Sequence, residues 1–594
     1  MLWLADAGWR QAAGRIRLNA KARRWALVAA AVALIVLVLR LCATIPRLDD
    51  ERHLRSDKSV QSIDRRYSCA AQPLDAAVWD LRAAGSSRPF AILPAGRRLS
   101  NGGGVLKVTA GQPVCVRIVV PPTSLGGVLA KQEKTIVELF QPLPSEPGLW
   151  DSIVLDAVGQ KSGISIPIRL RPMQHAHMAR RDAVHVYEGE LRAYDADVFA
   201  LDGVVEYRDA AWNYEQPAPL PSTYRPESIA VPRGALVKVI VPRASSFHPG
   251  NYARLPVCQR ADEPGRWIST EALPFAAETH GLPVYNGRAW LPYRCRLRGY
   301  TYSEFLQCLD DHRPFASDSP EKYTIHWFGD TNTRRALKKI TSLGAWCSGT
   351  MATRSQCLCD DSGEAFPRFT GQNTVRDTLL ELNDEDGGWS VREDGAKKDR
   401  DMSNPQARIY FHRWEGLTRY NGARWQTTLQ PDRIGAYPRA DLVVVSLGNM
   451  DVSFTQFLEH ARQLNELVEL LQAAYDDQHI VLRMPQYFCC RAPSGNPPRR
   501  MQRDRNRLYG EYMRRLFELH FGTRLHVWDV GSIAETLPLE LRKEVTACAV
   551  NTVPSELVDL ENLQLINGIC NPAMLRSKGG LAAGRRDAAN AELA

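Results

Sequence analysis

The stretch YTIHWFGDTNTR (323–334) decides the reading of the chain. Its first six residues are an apolar-rich run of the kind that forms a buried strand. Gly329, Asp330 and Thr331 follow, and the run 332–343 then has helical spacing. A strand that turns straight into a helix puts the hydroxyl of that turn, Thr331, beside the helix N-terminus. There the unused N–H groups and the positive dipole end can stabilise an oxyanion. The same three residues also suit an ordinary helix N-cap, where Asp, Asn and Thr are all favoured.

The neighbourhood repeats the pattern. ARIYF (407–411), DLVVVSL (441–447), HIVLRM (479–484) and RLHVWDV (524–530) read as buried strands, and the runs 332–343, 454–475, 498–520 and 555–567 read as helices. In 454–475 the residues Phe454, Phe457, Leu458, Ala461, Leu464, Leu467 and Leu471 form one apolar stripe. Strands alternating with helices predict an α/β unit with a mostly parallel sheet covered on both faces. Ligands of such sheets bind at the carboxyl ends of the strands. The stretch 355–405, rich in Asp, Gly, Ser and Lys, reads as a long surface excursion.

Towards the N-terminus the texture changes. Between Tyr67 and about Arg243 short period-two runs such as GVLKVTA (104–110), CVRIVV (115–120), AVHVYEGEL (183–191) and ALVKVIV (235–241) are separated by Gly, Pro and Ser. That spacing predicts an all-β sandwich of immunoglobulin or filamin type over 67–245. Cys69 and Cys115 are candidates for a bridge within it, with the pairing left open. Nothing in this region carries chemistry, so it reads as a structural or carbohydrate-contacting module. His175 and His177 read as solvated.

Residues 25–45, WALVAAAVALIVLVLRLCATI, are long enough to span a bilayer core, with Arg40 the one charge. Six basic residues from Arg10 to Arg24 precede them, whereas the charges at 47–52 nearly cancel. The positive-inside rule then gives a cytosolic tail (1–24), an uncleaved type II anchor (25–45), a stem (46–66) and a luminal bulk in a Golgi or other secretory membrane. A cleaved signal peptide is the alternative, but the apolar run is long for one and no small-x-small cleavage site stands out. No Asn-x-Ser/Thr sequon occurs.

The 594 residues hold roughly two to four domains. A composition 44% hydrophobic and 24% charged is that of a folded chain. A net charge of +9 over this length argues against a dedicated nucleic-acid binder. No Walker motif or dinucleotide fingerprint is present, and no cofactor or metal is expected. The pairs Cys357/Cys359 and Cys489/Cys490 lack zinc-ribbon spacing and read as disulfide cysteines. The tail 576–594 reads as disordered.

An ordered set of motifs resembles the PC-esterase branch of the SGNH hydrolase superfamily, which includes plant trichome-birefringence-like proteins, fungal capsule-associated relatives and the NXPE group. The set is Cys258, Gly265-Arg266-Trp267, Trp290 to Cys295 (WLPYRC), Cys308-Leu309, and Gly329-Asp330-Thr331 with Arg334. The resemblance covers about 255–572 and implies a three-layer SGNH-like domain over 250–575. It implies O-acetyltransferase or esterase chemistry on glycans. IYFHRWEGL (409–417) is similar to the family's second block, which makes Gly416 an oxyanion-hole amide. VVVSLGNMD (443–451) is similar to the third, which makes Asn449 an oxyanion donor. The segment from Cys548 to Cys570 is similar to the terminal block, with the family's histidine falling at Thr552. Cys548 and Cys570 flank the last helix there and are candidates to pair across it.

Two departures weigh against the implied chemistry. The nucleophilic serine is Thr331, and the histidine position is Thr552, with Ala549 where an aspartate precedes it. No histidine follows His526, so no shift of alignment restores the base. A hydroxyl nucleophile is weak without an adjacent base, and threonine stiffens χ1 at a crowded turn. The expectation is a fold kept with catalysis lost or reduced, acting by binding a glycan or by pairing with an active relative. An active O-acyltransferase or esterase using Thr331 is the alternative.

Overall fold

A computed structural model of the chain describes residues 65–73, 88–94, 105–121, 150–173, 184–210, 227–231, 236–240, 249–277, 280–311, 323–344, 346, 378–383, 389–393, 405–414, 416–417, 425–435, 437–455, 457–486, 503–538, 541 and 555–571. The expected anchor, cytosolic tail, most of the stem and the tail 576–594 lie outside the described residues. So do Cys357, Cys359, Cys489, Cys490, His175 and His177. Among the described residues no helix is long and apolar enough to cross a membrane.

The protein is a mixed α/β structure with several sheets. Five strands run parallel: β1 Tyr323–Gly329, β2 Pro405–Arg413, β3 Leu442–Ser446, β4 His479–Arg483 and β5 Leu525–Trp528. Their order is β2-β1-β3-β4-β5. Thr378–Asn383 and Trp389–Glu393 extend the sheet antiparallel beyond β2, to seven strands. This corrects the reading of 355–405 as a surface excursion only. The runs TLLELN and WSVRE pair back onto the sheet, and their Asp- and Gly-rich flanks hide them in the sequence.

The helices needed to place the site are α1 Tyr302–Asp311, α2 Thr331–Thr341, α3 Asn449–Phe454, α4 Phe457–Ala474, α5 Arg503–Phe521, α6 Val530–Glu535 and α7 Ser555–Cys570. Side chains of a strand alternate between faces, and here both faces are dry. Ile325, Trp327, Ile409, Phe411, Val444 and Val481 join a core with α2 and α7. Phe328, Val443, Val445, Ile480 and Leu482 join another with α4 and α5. Strands buried on both sides read as near-continuous apolar runs, and LVVV in β3 and IVL in β4 do so for this reason. In α4 the stripe Phe457, Ala461, Leu464, Leu467 and Leu471 is buried throughout, each leucine contributing about 1.5–3 kcal/mol of burial.

Two further sheets lie between 90 and 240. One has the strands Phe90–Ile92, Val114–Val120, His185–Leu191 and Arg171–Pro172. The other has Val105–Thr109, Leu236–Ile240, Val198–Ala210, Trp150–Gly159 and Ser165–Pro167 in that order, with Glu227–Ser228 beside Val198–Ala210. Inner-face residues Val116, Ile118, Leu155, Phe199 and Val237 belong to the same apolar cluster as Trp327 and α7, so the core continues from these sheets into the α/β part. A disulfide joins Cys69 to Cys115.

The motif Gly265-Arg266-Trp267 sits at this junction, in a three-stranded sheet of Gly265–Ser269, Arg288–Pro292 and Val284–Tyr285. Trp290 packs so closely on Gly265 that a Cβ there would lie 2.5 Å from its ring. The Trp267 indole donates to the Ile533 carbonyl at 2.8 Å. Arg266, 3% exposed, donates to Asp195 at 3.1 Å and to the carbonyls of Leu291 and Pro292, and lies 4.5 Å over the Tyr293 ring. From the other side Arg503, at the start of α5, pairs with Glu535 at 2.8 Å and donates to the Leu155 carbonyl at 3.2 Å.

Two more disulfides, Cys258–Cys295 and Cys308–Cys570, complete the framework. The second overturns the pairing of Cys548 with Cys570. Cys570 ends α7, which packs on α1, and there it meets Cys308.

Candidate functional site

In the order β2-β1-β3-β4-β5 the chain leaves β1 for one side of the sheet and then crosses to the other. Adjacent loops therefore diverge between the carboxyl ends of β1 and β3, the place where open α/β sheets form a crevice. Both strand ends carry a glycine followed by a polar residue.

At the end of β1 the approach to β3 is tight. A Cβ on Gly329 would lie 2.7 Å from Thr333 Oγ1 and 2.8 Å from Ser446 Cβ. Asp330 caps α2: its Oδ1 accepts from the amides of Asn332 (3.0 Å) and Thr333 (3.2 Å). A carboxylate at a helix N-terminus also complements the dipole. Thr331 is the first residue of α2.

At the end of β3 Gly448 takes the left-handed conformation (φ 100°) and leads into α3. Asn449 follows, 2% exposed. Its Nδ2 donates to Asp330 Oδ2 at 2.8 Å, and its Oδ1 accepts from the Gln486 amide at 2.8 Å. These two bonds fix which way the carboxamide faces. The nitrogen aims at the β1 turn, and the oxygen is held by the segment after β4.

The loop after β2 closes a third side. The Trp414 amide donates to the Gly329 carbonyl at 2.8 Å. Gly416 has φ 140°, and a Cβ there would lie 2.9 Å from Asp451 Oδ1. The next amide, Leu417, donates to that same oxygen at 2.9 Å. Asp330 and Asn449 are thus in direct contact, and Gly416 lies against α3, the helix that Asn449 begins. Thr552 lies outside the described residues.

Behind this turn stands a buried group that sequence reasoning missed. Glu561 of α7, 2% exposed, accepts from Gln486 Nε2 at 2.6 Å and from Arg483 at 2.7 Å. Arg483, at the end of β4, also reaches Ser446 Oγ at 3.4 Å and lies 5.0 Å from the Trp528 ring. The Trp528 indole donates to the Glu561 carbonyl at 2.9 Å. Burial pushes the Glu561 carboxyl up, and the guanidinium of Arg483 opposes it. A hydrogen-bonded chain therefore runs Glu561–Gln486–Asn449–Asp330, from the last helix to the cap of α2. The available signal was a charge inside each apolar run, Arg483 in HIVLRM and Glu561 in SELVDLENLQLI.

Two of the described histidines, His326 and His526, are held neutral, and a third, His460, faces the aspartate beside Gly416. His326 projects from β1 to Tyr475 Oη (2.7 Å) and the Pro438 carbonyl (3.0 Å), and burial, with His412 nearby, lowers its pKa to about 3. His526 contacts His479 at 2.9 Å, and burial lowers it to about 4. His460 of α4 faces Asp451 at 4.0 Å, both fully enclosed. Among the described residues, the one group of three close metal-type ligands is Cys69, Cys115 and Glu188, and its two sulfurs are already bonded to each other.

No family model and no curated protein sequence matches the chain. Solved structures similar to it include a peptidoglycan O-acetylesterase, 12% identical over 45% of this chain and 96% of that one, with a TM-score of 0.24. A carbohydrate acetylesterase from Sinorhizobium meliloti is 12% identical over 41% of this chain and 97% of that one, with a TM-score of 0.22. A putative arylesterase from Agrobacterium tumefaciens str. C58 is 15% identical over 45% of this chain and 99% of that one, with a TM-score of 0.22. At these scores the likeness carries no argument, and the chemistry rests on the chain's own residues.

Proposed function

We propose that this chain is a type II membrane protein of the secretory pathway. Its luminal part combines a β-sandwich with a three-layer SGNH-like domain of the PC-esterase kind. That domain belongs with glycan O-acetyltransferases and esterases, keeps their scaffold, and has lost or reduced their Ser-His chemistry. It acts by binding a glycan or by pairing with an active relative. The observation that carries this reading is the turn at Asp330. Asp330, which caps α2, the oriented Asn449 and Gly416 lie at the carboxyl ends of β1, β3 and β2 in a 2-1-3-4-5 sheet, and Thr331 is the first residue of α2. The hydroxyl there belongs to a threonine, and the sequence offers no histidine after His526.

The preorganised Asn449 also favours a second reading, an active O-acyltransferase or esterase with Thr331 as nucleophile. Hydrolysis of 4-nitrophenyl acetate by the purified chain separates the two. The first reading expects no turnover above the Thr331→Ala background, and a gain of roughly 10²–10⁴-fold when Thr331→Ser is combined with Thr552→His. Turnover by the native chain that disappears in Thr331→Ala would establish the second reading instead.

A further inference from the structure

A cavity of about 270 Å³ opens between α7, the start of α1 and the turn at 281–283, lined among others by Leu282, Pro283, Tyr300, Tyr302, Asp559 and Ile566. Its walls are aromatic and aliphatic apart from one carboxylate. Tyr302 donates its hydroxyl to Asp559 Oδ1 at 2.7 Å and accepts from Asn562 Nδ2 at 3.1 Å. Lys339, whose side chain is 1% exposed, donates to Asp559 Oδ2 at 2.9 Å, while the Asp559 side chain stays 30% exposed. Tyr300 spends its hydroxyl on Asn571 at 3.0 Å, and Arg298 lies 4.6 Å over its ring. What Tyr300 offers the cavity is ring surface.

These features narrow the occupant. An ionised carboxylate offers about four acceptor sites, and Tyr302 and Lys339 use two of those on Asp559. An apolar molecule would cover the other two and leave them unsatisfied, at a cost. A cation gains little, because Lys339 already balances Asp559, and Arg298 offsets the nearby Glu556. The volume falls just below the roughly 300–1,000 Å³ of pockets for drug-sized ligands, so the occupant is small. A neutral ring with one C–H face and a hydroxyl edge meets all of these conditions.

The geometry points to a second binding site, separate from the β1 turn, that takes a single pyranose residue of a glycan. The sugar's C–H face lies on the tyrosine rings, and adjacent hydroxyls donate to Asp559. This deepens the glycan role proposed above and rests on it. Asp559 and Glu561 are two residues apart on α7, so they face nearly opposite sides of the helix. One helix thereby touches both the sugar and the network behind Asp330.

The test is saturation-transfer NMR on the full chain with the methyl pyranosides of glucose, galactose, mannose and xylose. Transfer to the ring C–H protons of at least one is expected. Asp559→Asn should weaken it by about ten- to hundredfold, the worth of hydrogen bonds to a charged group. Pro283→Trp, which fills the cavity from its rim without touching the buried pair, should abolish it, and Thr331→Ala should leave it unchanged. No transfer from any of the four, or transfer that survives Pro283→Trp at native strength, overturns the site. Sugar binding retained here in a chain whose Thr331→Ser, Thr552→His double variant stays inert counts against the proposed lineage of the β1 turn alone.

Discussion

Asp330 carries three N–H groups on one carboxylate, two from its own helix and one from Asn449. Removing it deletes a helix cap and takes an acceptor from the buried Asn449 nitrogen. Asp330→Ala should therefore lower stability by about 1–3 kcal/mol in urea titrations. Glu561 and Arg483 make a different kind of pair. Both are out of water, so taking away one leaves the other without its opposite charge, held only by neutral neighbours or a more distant cation. Glu561→Leu should cost about 3–5 kcal/mol, and adding Arg483→Met should restore most of that, as read from thermal melts of the single and double variants. Asp330 and Asn449 were legible because each follows a glycine where an apolar run becomes helical. Glu561 was not, because its partners Gln486 and Arg483 lie 75 and 78 residues away in sequence, and no local pattern reports such a pairing.

Among the elements, those with a strong period were the readable ones. The stripe of α4 and the apolar runs of β1, β3 and β4 announced themselves because burial, on one face of the helix and on both faces of the strands, leaves few polar positions among the apolar ones. The hairpin at 378–393 escaped because an edge of the sheet tolerates polar residues, and Glu381 and Arg392 dilute its alternation. The disulfide at the end of α7 escaped for another reason. Cysteines adjacent in sequence to a helix suggest a local bridge, while packing of α7 on α1 selects a distant one. Cys308–Cys570 closes a span of 262 residues. Opening it with paired serine substitutions should lower stability by about 2–5 kcal/mol, measured by guanidinium denaturation under non-reducing conditions.

For the whole molecule, acid is the informative stress. His326 and His526 are held neutral in the folded protein, near pKa 3 and 4, against an ordinary 6.5. Between pH 6.5 and about 4 the unfolded chain takes up protons at these positions and the folded one does not. Stability is complete above 6.5 and falls as the pH drops through that window. Glu535 adds a lower step. The positive charge of Arg503, with Arg169 and Arg507, overrides its burial and lowers it to about 2. Its contribution is present above about 4.5 and is lost as the pH falls towards 2. Melting temperatures should decline in those two stages. His326→Gln should flatten the first, and Glu535→Gln the second. Because one core joins the N-terminal sheets to the parallel sheet, and Arg503 bridges Glu535 to Leu155, the decline should appear as a single cooperative transition.

The bond between Cys308 and Cys570 also sets an order of events during synthesis. Every strand of the parallel sheet is made after Cys308 and before Cys570. At about 5–20 residues per second, the first sulfur waits some tens of seconds for the second. Through that interval Cys308 is without its partner, in a chain that already contains Cys258 and Cys295. A message ending upstream of Cys570 would yield a chain whose Cys308 never meets its partner, so labelling of that sulfur would report that the final helix is missing.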